Sequence, residues 1–290
     1  MHQEEDGHDH THAAAAAAAP AATPVTGQVQ IQVALVPSEL VVGPNRFAVG
    51  LLDAAGRVIE DADVRFRYFD LSTAGMPQFE SEAQATRLVT PDGATAIFAH
   101  NRSFDRAGTW GVEVQAQLSA TQSAIKRVGF EVLAASPALR VGQAAPAVDT
   151  PTAASAQGHL ERLTSARTPA AGLYQVSLVE ALENGKPTVV LFATPAFCQT
   201  RFCGPAYDVT ANLLARYGSA ANFVHVEVYS GLPDPSANNW QIAPAMAAFG
   251  LATEPWLYVL DANGVVAYRV EGLFTEAEVE AQLQALLAAG

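Results

Sequence analysis

The chain has 290 residues with 16 basic and 29 acidic side chains, a formal net charge of −13, and half of its residues are apolar. At roughly 100–200 residues per domain, this length predicts one or two domains with real cores. The acidic balance excludes a nucleic-acid binder, because phosphate contacts need clustered Lys and Arg.

Residues 1–27 read as a disordered His/Ala-rich tail: an acidic, His-rich start, then poly-Ala, then Pro-Ala-Ala-Thr-Pro. They offer almost no apolar side chain to offset ordering entropy. His8, His10 and His12 alternate along it, and imidazoles so spaced are candidate ligands for copper, nickel or zinc. A solvated polar tail is the alternative. No run reaches the roughly 18 apolar residues of a membrane helix. The alanine run at 13–19 follows acids, whereas a signal peptide has a basic stretch there. The N-terminus therefore reads as mature or trimmed, with membrane tethering through a longer precursor left open.

Residues 28–135 carry short alternating runs. Val29-Gln-Ile-Gln-Val-Ala-Leu alternates apolar and polar with period two, as a half-buried strand does. Strands are also predicted at 46–53, 64–69, 94–99, 110–116 and 124–132, with a turn at Ala54-Ala-Gly-Arg. Six short strands between Gly/Pro/Asp turns predict an all-β, Ig-like sandwich with Trp110 in its core. Ala107-Gly-Thr-Trp-Gly-Val-Glu-Val resembles a strand start in bacterial Ig-like domains of extracytoplasmic copper and cytochrome-oxidase accessory proteins. Residues 136–172, rich in Ala, Pro, Thr and Ser, read as a linker that partly packs.

Residues 173–290 change to α/β texture. Helices are predicted at 177–184, 206–217 and 244–250, and a last one is capped by Thr275 with Glu278 three residues on. Thr188-Val-Val-Leu-Phe-Ala is a continuous apolar run, as in a fully buried parallel strand. A further strand is predicted at 222–229. Trp256-Leu-Tyr-Val-Leu and Val265-Val-Ala-Tyr-Arg-Val flank an Ala-Asn-Gly turn and predict a hairpin.

Both cysteines follow the apolar strand, in Ala193-Thr-Pro195-Ala-Phe-Cys198-Gln-Thr-Arg-Phe-Cys203-Gly204-Pro205. Two cysteines exclude a disulfide scaffold and leave one bridge or one reactive pair. A thiolate at a helix N-terminus is stabilised by free amides and the helix dipole. In one continuous helix a five-residue step rises about 7.5 Å, beyond the roughly 6.8 Å usual between bridged α-carbons. A Cys198–Cys203 disulfide therefore requires a loop before the helix. Gly204-Pro205 predicts a helix start there, since proline is tolerated in the first turn.

The order of elements and the Cys-Gly-Pro motif resemble the thioredoxin superfamily over about 173–290, or 141–290 if Val141-Gly-Gln-Ala-Ala-Pro is its lead-in segment. The resemblance implies a cis-proline at Pro255 facing the pair, supported by Pro195, Gly204 and Pro205. It implies a redox-active Cys-x4-Cys, because Ala206 stands where the family has its second cysteine. The strand at 188–193 lacks the family's buried acid, leaving Glu227 as a candidate.

The expected function is extracytoplasmic thiol–disulfide exchange with protein thiols and disulfides, needing no cofactor. Which cysteine attacks is open. Three alternatives are carried. The first is a copper-binding assembly factor of the respiratory-oxidase type, with Cys198, Cys203 and His225 to be tested. The second is a thiol peroxidase, on the similarity of Thr194-Pro-Ala-Phe-Cys198 to atypical two-cysteine peroxiredoxins, with Arg201 as its candidate cation. The third is a redox-inactive protein-binding module.

Overall fold

A computed structural model describes residues 27–289 except 74, 91–92, 94, 199–200 and 232–239. The candidate ligands His8, His10 and His12 lie outside the described residues.

The first half is built from β1 (Ile31–Leu35), β2 (Gly43–Asp53), β3 (Asp63–Asp70), β4 (Gln78–Gln84), β5 (Thr86–Val89), β6 (Ala96–Phe104), β7 (Gly108–Gln117) and β8 (Ser123–Val132). They form two four-stranded antiparallel sheets, ordered β1-β2-β6-β5 and β4-β3-β7-β8. Alternation places Val64, Phe66 and Tyr68 of β3 inward. These side chains meet Phe47, whose ring centroid lies 5.2 Å from Phe66 and 5.3 Å from Tyr68. Trp110 is in this core, with its indole N–H donating to the Arg106 carbonyl. The polar edge strand β4 and the short β5 had not been read from the sequence. Gln78-Phe-Glu-Ser-Glu-Ala-Gln presents mostly exposed side chains and so has little apolar alternation to reveal it.

The second half contains α1 (Leu178–Glu183), β9 (Thr188–Phe192), α2 (Cys203–Tyr217), β10 (Asn222–Val226), β11 (Tyr229–Ser230), β12 (Gln241–Ile242), α3 (Pro244–Ala248), β13 (Trp256–Leu260), β14 (Val266–Glu271) and α4 (Glu276–Ala289). The main sheet runs β10-β9-β13-β14, with β9 parallel to β10 and antiparallel to β13. One face of it packs against Val209, Leu213, Val279 and Leu283 of α2 and α4. The other packs against Leu178, Ala181 and Met246 of α1 and α3. Being covered on both faces, β9, β10 and β13 are buried at every position, which is why they read as apolar runs without alternation. The expected capping box of Thr275 with Glu278 forms, and Ser177 makes a second one with Glu180 that had not been read from the sequence.

Two expectations shift. Helix α2 begins at Cys203, one residue before Gly204, so Pro205 is its third residue. Proline still fits, because the first helical amides have no intrahelical acceptor. Residues 136–172 pack more extensively than a linker. Gly142 and Ala145 donate to Val266 and Gly264, and Ala138, Ala156 and Leu163 are buried. Gly250 shows the closeness of this packing. A β-carbon there would lie 1.9 Å from the Pro137 carbonyl oxygen.

The halves meet through apolar and charged contacts. Ala48, Ile97 and Ala99, on the outer face of β2 and β6, are buried with Leu273, and Phe202 and Val36 pack against them. Arg46 bonds Glu278 at 3.0 Å and the Leu273 carbonyl at 2.8 Å, and Arg269 bonds Glu39 at 3.0 Å.

Candidate functional site

The site is built where β9 ends. Its apolar run stops at Phe192, and Ala193 and Thr194 remain fully buried. The turn at Pro195-Ala-Phe then lets the Cys198 amide donate back to the Thr194 carbonyl at 3.1 Å. That reversal brings Cys198 beside the first residue of α2. Cys198 and Cys203 are disulfide-bonded, with S–S 2.19 Å and α-carbons 6.1 Å apart. The α-carbon separation is inside the usual limit because residues 198–202 precede the helix. Cys203 is fully buried and Cys198 half-buried. Ahead of the helix, Phe202 fixes its start against the first half of the chain. Gly204 faces Pro195, and a β-carbon there would come within 3.9 Å of the proline carbonyl oxygen.

The Glu254–Pro255 bond is cis, as the sequence suggested. Trp256 pairs with Phe192, which sets Glu254 and Pro255 beyond the end of β9, at the same sheet edge as the cysteine turn. A carboxylate oxygen of Glu254 and both sulfur atoms all lie within 4.8 Å of one another. Sequence reasoning missed Glu254. The available signal was a lone acid between the polar loop and an apolar strand, directly before the proline singled out as cis.

Burial pushes the Glu254 carboxyl up, against the opposing effect of Thr194. Among the described residues, Thr194 Oγ1 and Glu254 Oε2 are both buried without a hydrogen-bond partner. Glu227, the candidate acid, follows β10 at 8% exposure. Burial pushes it up to about 7, opposed by the Ser165 amide and hydroxyl at 2.8 and 2.7 Å, and the Glu254 charge adds to the rise. Burial thus holds the protons of both carboxyls more tightly than in water, and Glu254 is the one beside the bridge.

His225 is not a ligand beside the cysteines. Its Nε2 donates to the Ala193 carbonyl at 3.0 Å, which leaves Nδ1 to accept from the Tyr174 hydroxyl at 2.8 Å. Tyr207 in turn accepts from the Ala170 amide. Both ring nitrogens are engaged, and burial lowers the imidazole to about 4. The ring is a neutral structural group.

A groove of about 650 Å³ opens over the bridge. Cys198, Glu254, Phe197 and Trp240 line it, together with Val36 and Pro37 from the first half of the chain. Phe197 is 42% exposed, and its ring centroid lies 5.1 Å from that of Trp240. Gly272 lets the first half approach: at φ +75°, a β-carbon would sit 2.6 Å from Val36 Cγ1. Arg201, the candidate cation, is exposed.

The second half combines a β10-β9-β13-β14 sheet between helices, a cysteine at the start of α2 and a cis-proline before β13. Several solved structures are similar to parts of the chain at low identity. A thiol:disulfide interchange protein of the thioredoxin family from Chlorobium tepidum TLS is 21% identical, covering 49% of this chain and 99% of its own, at TM-score 0.31. A candidate thiol:disulfide interchange protein DsbE from Chlorobium tepidum is 16% identical, covering 51% of this chain and 99% of its own, at TM-score 0.37. The PmoD soluble domain from Methylocystis sp. ATCC 49242 (Rockwell) is 16% identical over 36% of this chain and 91% of its own, at TM-score 0.25. Likenesses this distant add no weight, so the reading rests on the sheet order, the cis bond and the bridge. No family model matches the chain, and no curated protein matches it. No described helix is long and apolar enough to cross a membrane.

Proposed function

We propose that the protein is an extracytoplasmic thiol–disulfide oxidoreductase, with an Ig-like sandwich over 28–135 and a thioredoxin-like domain over 173–290. One observation carries the reading: a disulfide at a helix N-terminus, beside a cis-proline, with one sulfur open to a groove. Disulfides persist in oxidising compartments, which supports placing the protein outside the cytoplasm.

Access supports one order of steps in this proposal. An incoming partner thiolate attacks Cys198 Sγ, the half-buried sulfur that lines the groove. The Cys198–Cys203 bond breaks as the mixed disulfide forms, and Cys203 leaves as a thiolate, favoured by the α2 dipole. A second partner thiolate then displaces Cys198, so the partner leaves oxidised and both cysteines end reduced. Run backwards, Cys198 attacks a partner disulfide and Cys203 resolves it. Glu254 is the nearest described acid to both sulfurs and would hold or accept the proton that the buried Cys203 gains or loses.

Pro255 shapes the docking edge, and the Phe197–Trp240 wall would hold residues flanking the partner cysteine. The test is insulin reduction driven by dithiothreitol, with thiol counts before and after treatment. Two thiols released per chain and catalysed insulin precipitation are expected. A bridge resistant to dithiothreitol in the folded protein refutes the proposal.

A further inference from the structure

We propose that the reduced form binds one thiophilic divalent cation, of which Zn²⁺ is the type, through the thiolates of Cys198 and Cys203 and the carboxylate of Glu254.

The donor atoms are already gathered. Both sulfurs and a Glu254 oxygen lie within 4.8 Å of one another. Zinc holds sulfur at about 2.3 Å and carboxylate oxygen at about 2.0–2.2 Å, so neighbouring ligand atoms on a tetrahedral ion sit roughly 3.3–3.8 Å apart. The oxygen therefore needs to move by about an ångström. The sulfurs, 2.19 Å apart when bonded, must separate. The α-carbons, at 6.1 Å, leave room for that through side-chain rotation alone.

A second observation points to a ligand independently of the spacing. Among the described residues, Glu254 Oε2 is buried without a donor and Thr194 Oγ1 without a partner. An acceptor left unsatisfied is costly, and a cation on this carboxylate relieves that cost. The groove gives an entry path and an open fourth position, because Cys198 and Glu254 both face it. The donor set chooses the metal class. Two thiolates exclude Ca²⁺ and Mg²⁺, and the carboxylate in place of a third soft ligand favours borderline Zn²⁺ over Cu⁺. His225, the histidine considered for a copper site, is committed to Tyr174 and Ala193.

The chemistry balances in two steps. A phosphine and one water reduce the bridge to two thiols and become the phosphine oxide. The cation then displaces both thiol protons, so its binding strengthens as pH rises. Metal and disulfide are mutually exclusive at this site. Occupancy would protect the dithiol from reoxidation and withhold it from exchange.

The inference shares with the proposed function only the reducibility of the bridge. The test uses full-length protein reduced with tris(2-carboxyethyl)phosphine, freed of reductant under argon and titrated with Co²⁺. Thiolate-to-cobalt charge transfer in the near ultraviolet reports sulfur ligation, which His8, His10 and His12 cannot produce. The expected result is saturation at one Co²⁺ per chain, bleaching on addition of Zn²⁺, and no band in the oxidised protein. Glu254→Gln should keep the band but weaken binding about tenfold or more, the scale of losses at metal sites. Glu254→Asp, retaining the carboxylate, should fall between them. Circular dichroism establishes that each variant is folded. No charge-transfer band in the reduced protein, saturation at half a metal per chain, or undiminished affinity in Glu254→Gln would each overturn the site. Cobalt binding without insulin reduction would instead remove the exchange reading alone.

Discussion

Glu227 offers a quantitative test of the electrostatics behind the bridge. Its carboxyl is held at about 7 in the folded protein, against 4.5 for an unhindered glutamate. A raised acid binds its proton more tightly when folded. Its stabilising contribution is therefore complete below about pH 4.5 and is lost as pH rises through about 7. That difference corresponds to roughly 3 kcal/mol. At 8% exposure, little solvent screening reduces it. Glu227→Gln keeps an oxygen to accept from the Ser165 amide and removes the charge. The variant should match the wild type near pH 4 and exceed it by about 3 kcal/mol near pH 8. Urea unfolding of both proteins in the oxidised form, at several pH values between these limits, gives the difference directly, since all other titrations cancel to first order. Part of the Glu227 rise comes from the Glu254 charge; repeating the pair in a Glu254→Gln background reads that share. A difference that stays flat from pH 4 to 8 would show that Glu227 ionises normally and that its burial does not govern the site.

Other perturbations probe the fold and the groove. Removing the bridge in a Cys198→Ser/Cys203→Ser variant should cost about 2 kcal/mol in urea unfolding, the chain-entropy value for so short a loop; an unchanged midpoint would contradict it. Phe197→Ala should slow exchange with insulin several-fold and leave reduction by dithiothreitol unchanged, because only a polypeptide reaches the aromatic wall. Equal slowing of both reactions would count against a docking role. Gly272→Ala should destabilise by about 1–2 kcal/mol, combining the left-handed backbone with the Val36 contact. Adding Val36→Ala should recover only the steric part, and complete recovery would mean that the backbone carries no cost. Trp110→Ala, at the centre of the sandwich, should cost about 3–5 kcal/mol by thermal unfolding.

The elements whose burial imposes a period were legible in the sequence. Strand β3 alternates because one face meets Phe47 and the other does not, and β9 is uniformly apolar because helices cover both faces. Strands β4 and β5 were hidden because backbone pairing to a neighbour needs no side-chain pattern, and Gln78-Phe-Glu-Ser-Glu-Ala-Gln has almost none. The close packing of 136–172 was also obscured. Ala, Pro and Thr compose flexible segments as readily as tight ones, and only the Gly250–Pro137 approach shows which this is. At the site, Cys198, Cys203 and Pro255 could be found from spacing and strand order. Glu254 could not be assigned, because its role depends on long-range register: Trp256 opposite Phe192 carries the preceding acid to the sulfurs. His225 could only be carried as a residue to test, more often packed than a ligand, since its partners Tyr174 and Ala193 are far away along the chain.

The bridge spans a five-residue step, between a strand that ends before it and a helix that begins at its second cysteine. The pairs of β9 with β10 and β13 are all made outside that step, as are the contacts of α2 with α4 through Arg216 and Glu280. In the proposed cycle the bond that is made and broken lies within that step, so the switch and the frame that carries it occupy different parts of the chain.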